Sequence, residues 1–419
     1  MSTGGVLFDL RPLRESAAFR RIFIARTISI FGIGMLMVGV PIQVYDLTGS
    51  SPTVGLVSAL EGGAAIGGML LGGMLADRYN RKILILFART VSGLTFVGLA
   101  INAGLENPSV PAIVVLMIVN GLIGSISIAA LFAVVPTLVP KDQMVGVGAL
   151  NVLSARAGAV LSPALGGLVI AAFSVAWNYW VAAVGTAITV ALLSGLPSLN
   201  PPKDDHEHDG SGAPAESVAA FLRRERIVGG VMVAGIVAML GGGVLVLVPA
   251  FAADRFEGNS VAVGVMYAAT ALGAAAATVT SGWLGRARKP GTVLLGALFL
   301  GFVVQALVGF TSILAVTVVL LVIVGVFGAV QEVLRYSLIQ THTPHAMLGR
   351  VNGLWSAQEV AGMSVGALVA GLFGGIFTAP EAVVWYSAAM AVLALLAGFV
   401  LRRLRTATAD PDAHPVAVE

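Results

Sequence analysis

The chain has 419 residues, of which 57% are hydrophobic and only 11% are charged. Soluble globular domains carry about 25% charged residues, so the composition excludes a soluble protein and indicates a polytopic membrane protein. In a membrane protein the basic residues behind the net charge of +3 are explained by their distribution along the chain, so no nucleic-acid partner is inferred. The absence of cysteine excludes disulfides and thiolate metal sites.

Twelve apolar segments are long enough to cross a membrane, since a hydrocarbon core of ~30 Å needs about 20 helical residues. Six are predicted at 21–45, 53–76, 82–104, 111–136, 145–173 and 176–197, and six more at 226–252, 260–284, 291–310, 313–338, 350–377 and 382–401. The first run is too long for a signal-peptide core and is expected to be an uncleaved span. The predicted fold class is an all-α membrane protein with two pseudo-symmetric six-helix bundles.

The two halves resemble each other in sequence. The segment 139–167 aligns with 343–371 at a constant offset of 204, which pairs Gly158 with Gly362 and Ser162 with Gly366. Such duplication is typical of transporters. We predict an N-terminal bundle (1–199), a cytoplasmic linker (200–217), a C-terminal bundle (218–405) and a disordered cytoplasmic tail (406–419).

Basic residues fix the predicted orientation. With both termini on one side, nineteen of the 24 Lys and Arg residues lie on that side, four lie within spans and only Arg255 lies opposite. The positive-inside rule therefore places both termini in the cytoplasm, as expected for a multi-pass protein of the bacterial inner (plasma) membrane. His206 and His208 of the linker are interpreted as parts of a solvated segment and not as metal ligands.

The loop after the second predicted span reads GGMLADRYNRK (72–82). It resembles the G-x-L-x-D-R-x-G-R-K loop of the major facilitator superfamily, with matches at Gly73, Leu75, Asp77, Arg78, Arg81 and Lys82 and with Asn80 in place of the second glycine. Gly73 is expected to permit close helix approach, and Asp77 to form a charge latch with arginines and a neighbouring helix N-terminus. The alternative is an ordinary basic turn.

The fifth span contains GAVLSPALGG (158–167). It resembles an element of this superfamily's exporters and antiporters, carried here by Gly158, Ser162, Pro163, Gly166 and Gly167. Small residues four apart let helices touch, and a proline can bend the helix. Generic small-residue packing is the alternative, and Met117 stands where the drug/proton antiporters have an arginine.

Several longer segments narrow the resemblance. The stretches FRRIFIARTISI (19–30), VAWNYWVAAVGTAIT (175–189) and LIQTHTPHAMLGRVNGLWSAQ (338–358) look like parts of the enterobactin exporter family. That resemblance implies export of a catecholate siderophore from the cytoplasm, and it extends over nearly the whole chain outside the linker and tail. Close relatives could carry other siderophores or drugs.

Seven ionisable residues lie within the predicted spans, where a charge is costly and marks a functional site by default. The candidate substrate or proton sites among them are Arg26, Glu61, Arg156, Glu332, Arg335 and Glu359. The seventh, Arg89, lies on a helix that the family resemblance does not place at the cavity. Arg89 and Arg26 could instead reach the membrane surface.

Three arrangements of these charges stay open. Arg156 and Glu359 lie near mid-membrane on repeat-related spans and are expected to face one cavity, where they could pair. Glu332 and Arg335 are three residues apart and could simply neutralise each other. Glu61 is interpreted as a structural hydrogen-bonding group, a proton carrier or a contact for a cationic substrate.

The predicted function is proton-coupled export of a small organic molecule, foremost a siderophore, by a monomer embedded in the lipid bilayer. A broad-specificity drug exporter, an importer or symporter and a membrane sensor are the alternatives. The sequence has no G-x-x-x-x-G-K-[ST] loop, so ATP is not expected to drive transport, and no enzyme activity or cofactor is predicted. Trp177, Tyr179 and Trp180 are expected to form an interfacial aromatic belt.

Overall fold

A computed structural model describes residues 11–140, 143–196 and 217–407. The helices of the first half are α1 (Arg11–Glu15), α2 (Ala17–Thr48), α3 (Ser51–Arg78), α4 (Arg81–Ala103), α5 (Val110–Leu138), α6 (Met144–Ala172) and α7 (Val175–Ser194). The second half contains α8 (Val218–Arg224), α9 (Arg226–Gly242), α10 (Val248–Phe256), α11 (Ser260–Val279), α12 (Pro290–Val308), α13 (Leu314–His342), α14 (His345–Ile376), α15 (Ala379–Val400) and α16 (Arg402–Arg405).

Twelve spans of these helices are long and apolar enough to cross a membrane. They are α2 to α7, the combined stretch from α9 to α10, and α11 to α15. Each corresponds to one predicted span, so the twelve-helix fold class is confirmed. The predicted linker and tail lie mostly outside the described residues, as do His206 and His208.

Side-chain caps set several helix starts. The Ser16 hydroxyl accepts a hydrogen bond from the Phe19 N–H at 3.1 Å before α2. Asn80 does the same for α4, because its Oδ1 accepts from the Lys82 N–H at 2.9 Å. Its φ of −58° is ordinary for any residue, so the asparagine in this loop serves as an N-cap.

Two predicted spans differ from the observed helices. The predicted seventh span is interrupted, because a 3₁₀ segment (Gly243–Leu247) separates α9 from α10. Three consecutive glycines, Gly241 to Gly243, precede Pro249 here, and both residue types disfavour a regular helix interior. The predicted eighth span extends too far, since α11 ends at Val279 and a 3₁₀ segment (Ser281–Arg286) follows.

The chain groups into two compact units. The first contains Met1–Gly49, Leu60–Asp205 and Asn259–Ala268, and the second contains Ser50–Ala59, His206–Gly258 and Ala269–Glu419. In the first unit α2 packs on α6 and α7, and α4 packs on α5 and α7. In the second, α12 packs on α13 and α15, and α14 packs on α9.

A buried polar pair lies in the core of the first unit. The Tyr179 hydroxyl donates to Gln43 Oε1 at 2.8 Å, and Tyr179 is 0% exposed. The expectation that Tyr179 belongs to an interfacial belt is therefore wrong, because its hydroxyl has a partner inside the protein. Trp177 and Trp180 are exposed, as that expectation requires.

Candidate transport site

The α6 segment of the first unit packs closely on α2 through small residues. A Cβ at Gly158 would collide with the Ile30 side chain, and one at Gly166 would lie 3.3 Å from Met35 Cα. Between them the buried Ser162 hydroxyl donates to the Phe31 carbonyl at 3.0 Å. The serine that replaces the usual glycine thus adds a hydrogen bond to the helix contact.

The end of the same motif contacts α11. A Cβ at Gly167 would lie 2.9 Å from Gly264 Cα, and a Cβ at Gly264 would lie 2.6 Å from the Pro163 carbonyl oxygen. Both helices therefore require glycine at this crossing, because a side chain on either would strike backbone atoms of the other.

The second unit repeats this packing at the positions that the offset of 204 predicts. A Cβ at Gly366 would lie 2.9 Å from Leu240 Cα, and one at Gly371 would lie 3.1 Å from Gly55 Cα. The counterpart of Gly158 is Gly362, whose Cβ would crowd Met239. The internal repeat seen in the sequence is thus a repeat of helix contacts.

Two residues of the loop that resembles the gating motif, Asp77 and Gly73, carry specific expectations. The side chain of Asp77 lies outside the described part of the chain, so its latch stays a prediction. Gly73 is exposed, and a Cβ there would meet no described atom within 4 Å. The role of Gly73 in close helix approach stays a prediction.

Basic residues of this loop bond nearby carbonyl groups. Lys82 Nζ donates to the Leu196 carbonyl at 2.5 Å, and Arg81 Nε donates to Ala76 at 3.5 Å. Arg21 also donates to the Gly195 carbonyl. Lys82 and Arg21 thus satisfy carbonyl groups at the C-terminal end of α7, where the helix dipole favours cations. Arg78 is exposed.

Glu61 of α3 faces α5. Its side chain is half-buried and is hydrogen-bonded by the Asn120 side chain. A Cβ at Gly121 would collide with the backbone carbonyl of Glu61, so this glycine lets the backbones of α3 and α5 approach closely beside Glu61. The sequence signal for this partner is a polar residue, Asn120, alone within the apolar run LMIVNGLIG (116–124).

Three further arginines of the first unit are half-buried, on three different helices. Arg26 lies on α2 and Arg156 on α6, the two helices joined by the Ser162 contact. The Nε atom of Arg89 on α4 is buried and has no hydrogen-bond partner. The pairing of Arg156 with Glu359 stays a prediction.

Arg335 of α13 is the most unusual charge in the described residues, because the whole side chain is 0% exposed. Its guanidinium lies over the Trp355 ring, with Cζ 4.5 Å from the ring centroid. It also contacts α9, where a Cβ at Gly235 would lie 2.6 Å from Cζ. None of its three nitrogens makes a hydrogen bond, so the buried cation stacks on an indole ring and keeps its donors unused.

Unpaired acceptors lie on the helices around this arginine. Gln358 Nε2 donates to the Met232 carbonyl at 2.6 Å, while its Oε1 has no hydrogen-bond partner. Gln331 Oε1 is likewise buried without a hydrogen-bond partner. Buried polar groups are normally satisfied, so this cluster has the incomplete hydrogen bonding expected of a binding site.

Trp355 connects the arginine to an acid. Its indole N–H donates to Glu359 one turn further along α14, and its ring packs edge-on against Tyr336 at 6.3 Å. Glu359 and the exposed Glu332 attract the Arg335 guanidinium electrostatically. The expectation that Glu332 and Arg335 neutralise each other is therefore incomplete, because Trp355 covers the guanidinium and Glu359 contributes the larger attraction.

The sequence reasoning singled out Arg335 and Glu359 but missed the aromatic residue between them. The i, i+4 spacing of Trp355 and Glu359 was a readable signal, since such pairs are neighbours on a helix. Gly235 and Gln358 gave no signal, because their relation to Arg335 depends on how α9 and α14 pack on α13.

The chain belongs to the major facilitator superfamily, whose family model matches residues 22–355 and 231–417. It is a multi-pass membrane transporter and not an enzyme. It is 42% identical over 375 residues to the proteins named enterobactin exporter EntS of Shigella boydii serotype 18 and Escherichia coli O139:H28, and each alignment covers 89% of both chains.

Solved transporter structures share the fold. The nucleoside transporter NupG matches with a TM-score of 0.72 and 14% identity over 91% of this chain and 98% of that one. The peptide transporter POT in complex with sulfate matches with a TM-score of 0.69 and 16% identity, over 94% of this chain and 96% of that one. The human organic anion transporter MFSD10 matches with a TM-score of 0.61 and 17% identity, over 92% of this chain and 99% of that one.

Proposed function

We propose that this protein exports a catecholate siderophore from the cytoplasm by proton-coupled alternating access. The 42% identity to enterobactin exporters over 89% of the chain supports the substrate class. The excess of basic residues on one side supports an inner-membrane orientation with both termini cytoplasmic. We take the working form to be a monomer.

The observation that carries the proposal is the unsatisfied guanidinium of Arg335. It is buried, its nitrogens make no hydrogen bonds, and a Trp ring holds it in place. Arginine presents directed donors that fit pairs of oxygen atoms, and a catecholate offers two adjacent oxygens. Substrate oxygens would therefore complete this site.

The nitrogens of Arg335 are covered in the present conformation, so substrate binding must uncover them. Trp355 is the side chain best placed to do so, because it contacts both Arg335 and Glu359. Rotation of the indole would break the Glu359 hydrogen bond and expose the guanidinium in one movement. Substrate entry and release of Glu359 would then be coupled.

Other charges have proposed roles in the same cycle. Glu61 is proposed as the proton carrier, with Asn120 as the group that holds its carboxylate in one state of the cycle. Arg156 and Arg26 are proposed as further contacts for an anionic substrate on α6 and α2. Glu359 is proposed to lose its hydrogen bond from Trp355 when the substrate binds and to regain it when the substrate leaves.

Transport into inverted membrane vesicles tests the function. We expect a catecholate siderophore to accumulate in vesicles with an acidic lumen, and the accumulation to collapse when a protonophore removes the gradient. Vesicles that lack the protein are the control. Uptake without a gradient would refute proton coupling, loss of substrate from preloaded vesicles would indicate an importer, and no transport would favour a sensor.

Drug efflux is the alternative function, and the same vesicles distinguish it. Neutral and cationic drugs carried as well as the siderophore would indicate broad specificity, whereas the Arg335 site predicts a preference for anionic, oxygen-rich compounds.

The gating loop has a separate test. Asp77→Asn removes the charged acceptor proposed for the latch and leaves the apolar part of α3 unchanged, so we expect weakened transport at a normal level of inserted protein. Asp254→Asn makes the same change at an exposed position of α10 outside this loop and serves as the matched charge-removal control. Wild-type turnover in Asp77→Asn would refute the latch.

A further inference from the structure

A groove on the second unit lies between α12 and α15. It has a volume of about 240 Å³, and apolar side chains line nearly all of it. The lining on α12 runs from Thr292 to Phe299, a stretch of eight residues that is about 10 Å long in a helix. Along α15 the lining extends from Ala394 to Phe399.

Two glycines line this groove, one on each helix. Gly296 lies on the α12 side and Gly398 on the α15 side. A Cβ at either position would meet no described atom within 4 Å. The missing side chains therefore leave open space rather than a close helix contact, unlike the glycines at the Gly167 and Gly264 crossing.

The groove lining includes one basic residue, Arg405. Arg405 lines it directly, and the hydroxyl of Thr292 donates to the Arg405 carbonyl at 2.7 Å, which fixes α16 against the start of α12. Arg402 and Arg403 are exposed on α16, and Lys289 is exposed immediately before α12. Arg405 is thus the basic residue of the groove lining, and the other lining residues apart from Thr292 are apolar.

We propose that this groove binds an anionic phospholipid, with an acyl chain along Gly296 and Gly398 and the phosphate at Arg405. The apolar groove is long enough to hold the part of an acyl chain that lies in the first third of a ~30 Å bilayer core. The arginine can bind a negatively charged headgroup. The positive-inside rule alone accounts for the basic residues but not for the open groove beneath them. The site is independent of the transported substrate.

The test uses the purified full-length protein in detergent with phosphatidylglycerol and phosphatidylcholine of equal chain length. Native mass spectrometry measures which lipid stays bound when both are offered at equal concentration. We expect wild-type protein to retain phosphatidylglycerol preferentially. Gly296→Leu and Gly398→Leu fill the groove from opposite walls and should abolish the preference, and neither should harm the fold, because leucine is the better helix former.

Arg405→Gln tests the headgroup contact and should lower the preference about fivefold, as expected for one basic residue near an anionic lipid. Arg403→Gln removes the same charge from a residue outside the groove lining, and Val400→Phe adds bulk at an exposed position outside it. Both controls should keep the wild-type preference.

Three results would overturn the site. Equal retention of both lipids by the wild type would show that the groove has no headgroup selectivity. A wild-type preference in both leucine variants would place the bound lipid elsewhere. Equal losses in Arg403→Gln and Arg405→Gln would indicate diffuse surface charge rather than a defined headgroup contact.

Discussion

Replacing Arg335 with methionine is expected to abolish transport while leaving the fold about as stable as the wild type. Methionine keeps an unbranched stem between α13, α9 and Trp355 but removes the charge and all donors. The effect separates a substrate-binding arginine from a structural one, since a structural arginine would be needed for folding.

The expected stability change follows from the contacts of the guanidinium. Replacing a buried charged group by a hydrophobic one is neutral or stabilising by about 1–4 kcal/mol. Loss of the stacking on Trp355 removes about 2 kcal/mol, and no hydrogen bond is lost because the nitrogens make none. The net change in the free energy of unfolding should lie between about −2 and +2 kcal/mol.

Two measurements on the same preparation decide the outcome. Reversible unfolding of the purified protein in mixed detergent gives the free energy of unfolding, and inverted vesicles give siderophore transport. Arg335→Lys is the control that keeps the charge without the planar donor group, and it should retain only part of the transport rate. A stability loss of about 3–5 kcal/mol, typical of a broken buried ion pair, would show that Arg335 is structural. Wild-type transport by Arg335→Met would equally refute the site.

Three further outcomes are expected. Glu61→Gln should still exchange substrate but lose accumulation driven by a pH gradient, because an amide cannot release a proton; gradient-driven accumulation in this variant would eliminate the carrier role. Arg156→Ala should reduce transport of anionic or phenolic substrates more than that of neutral ones, and equal losses would point to structural damage. Gly167→Leu should lower folded yield sharply, because any Cβ there lies within 2.9 Å of Gly264 Cα; Gly398→Leu, which meets open space, is its control.

Hydropathy and length were sufficient to predict the helices, because in lipid each span must satisfy its backbone N–H and C=O groups by hydrogen bonds within the helix. The boundary errors occurred where that requirement is relaxed. Gly243–Leu247 and Ser281–Arg286 are 3₁₀ segments that contain glycine, and a hydropathy window includes both in a span. The repeat offset of 204 also predicted which residues would make equivalent contacts.

The candidate site was predicted only in part. A charged residue within an apolar segment is visible in the sequence, so Glu61 and Arg335 were identified as candidate site residues. Their partners Asn120 and Gly235 were not, because they come from other helices, and single-sequence periodicity does not determine which faces meet. The same reasoning misplaced Tyr179, since an aromatic residue near a span end fits the membrane interface and a buried hydrogen bond equally well.

The division of the chain into units has a consequence for engineering. Ser50–Ala59 groups with the second unit although the rest of α3 belongs to the first, and Asn259–Ala268 groups with the first although the rest of α11 belongs to the second. A split protein cut at the linker would give each fragment a core that lacks ten residues supplied by the other fragment. Chimaeras between related transporters therefore need matched exchange of these two helix ends, and half-length fragments should fold only when they are produced together.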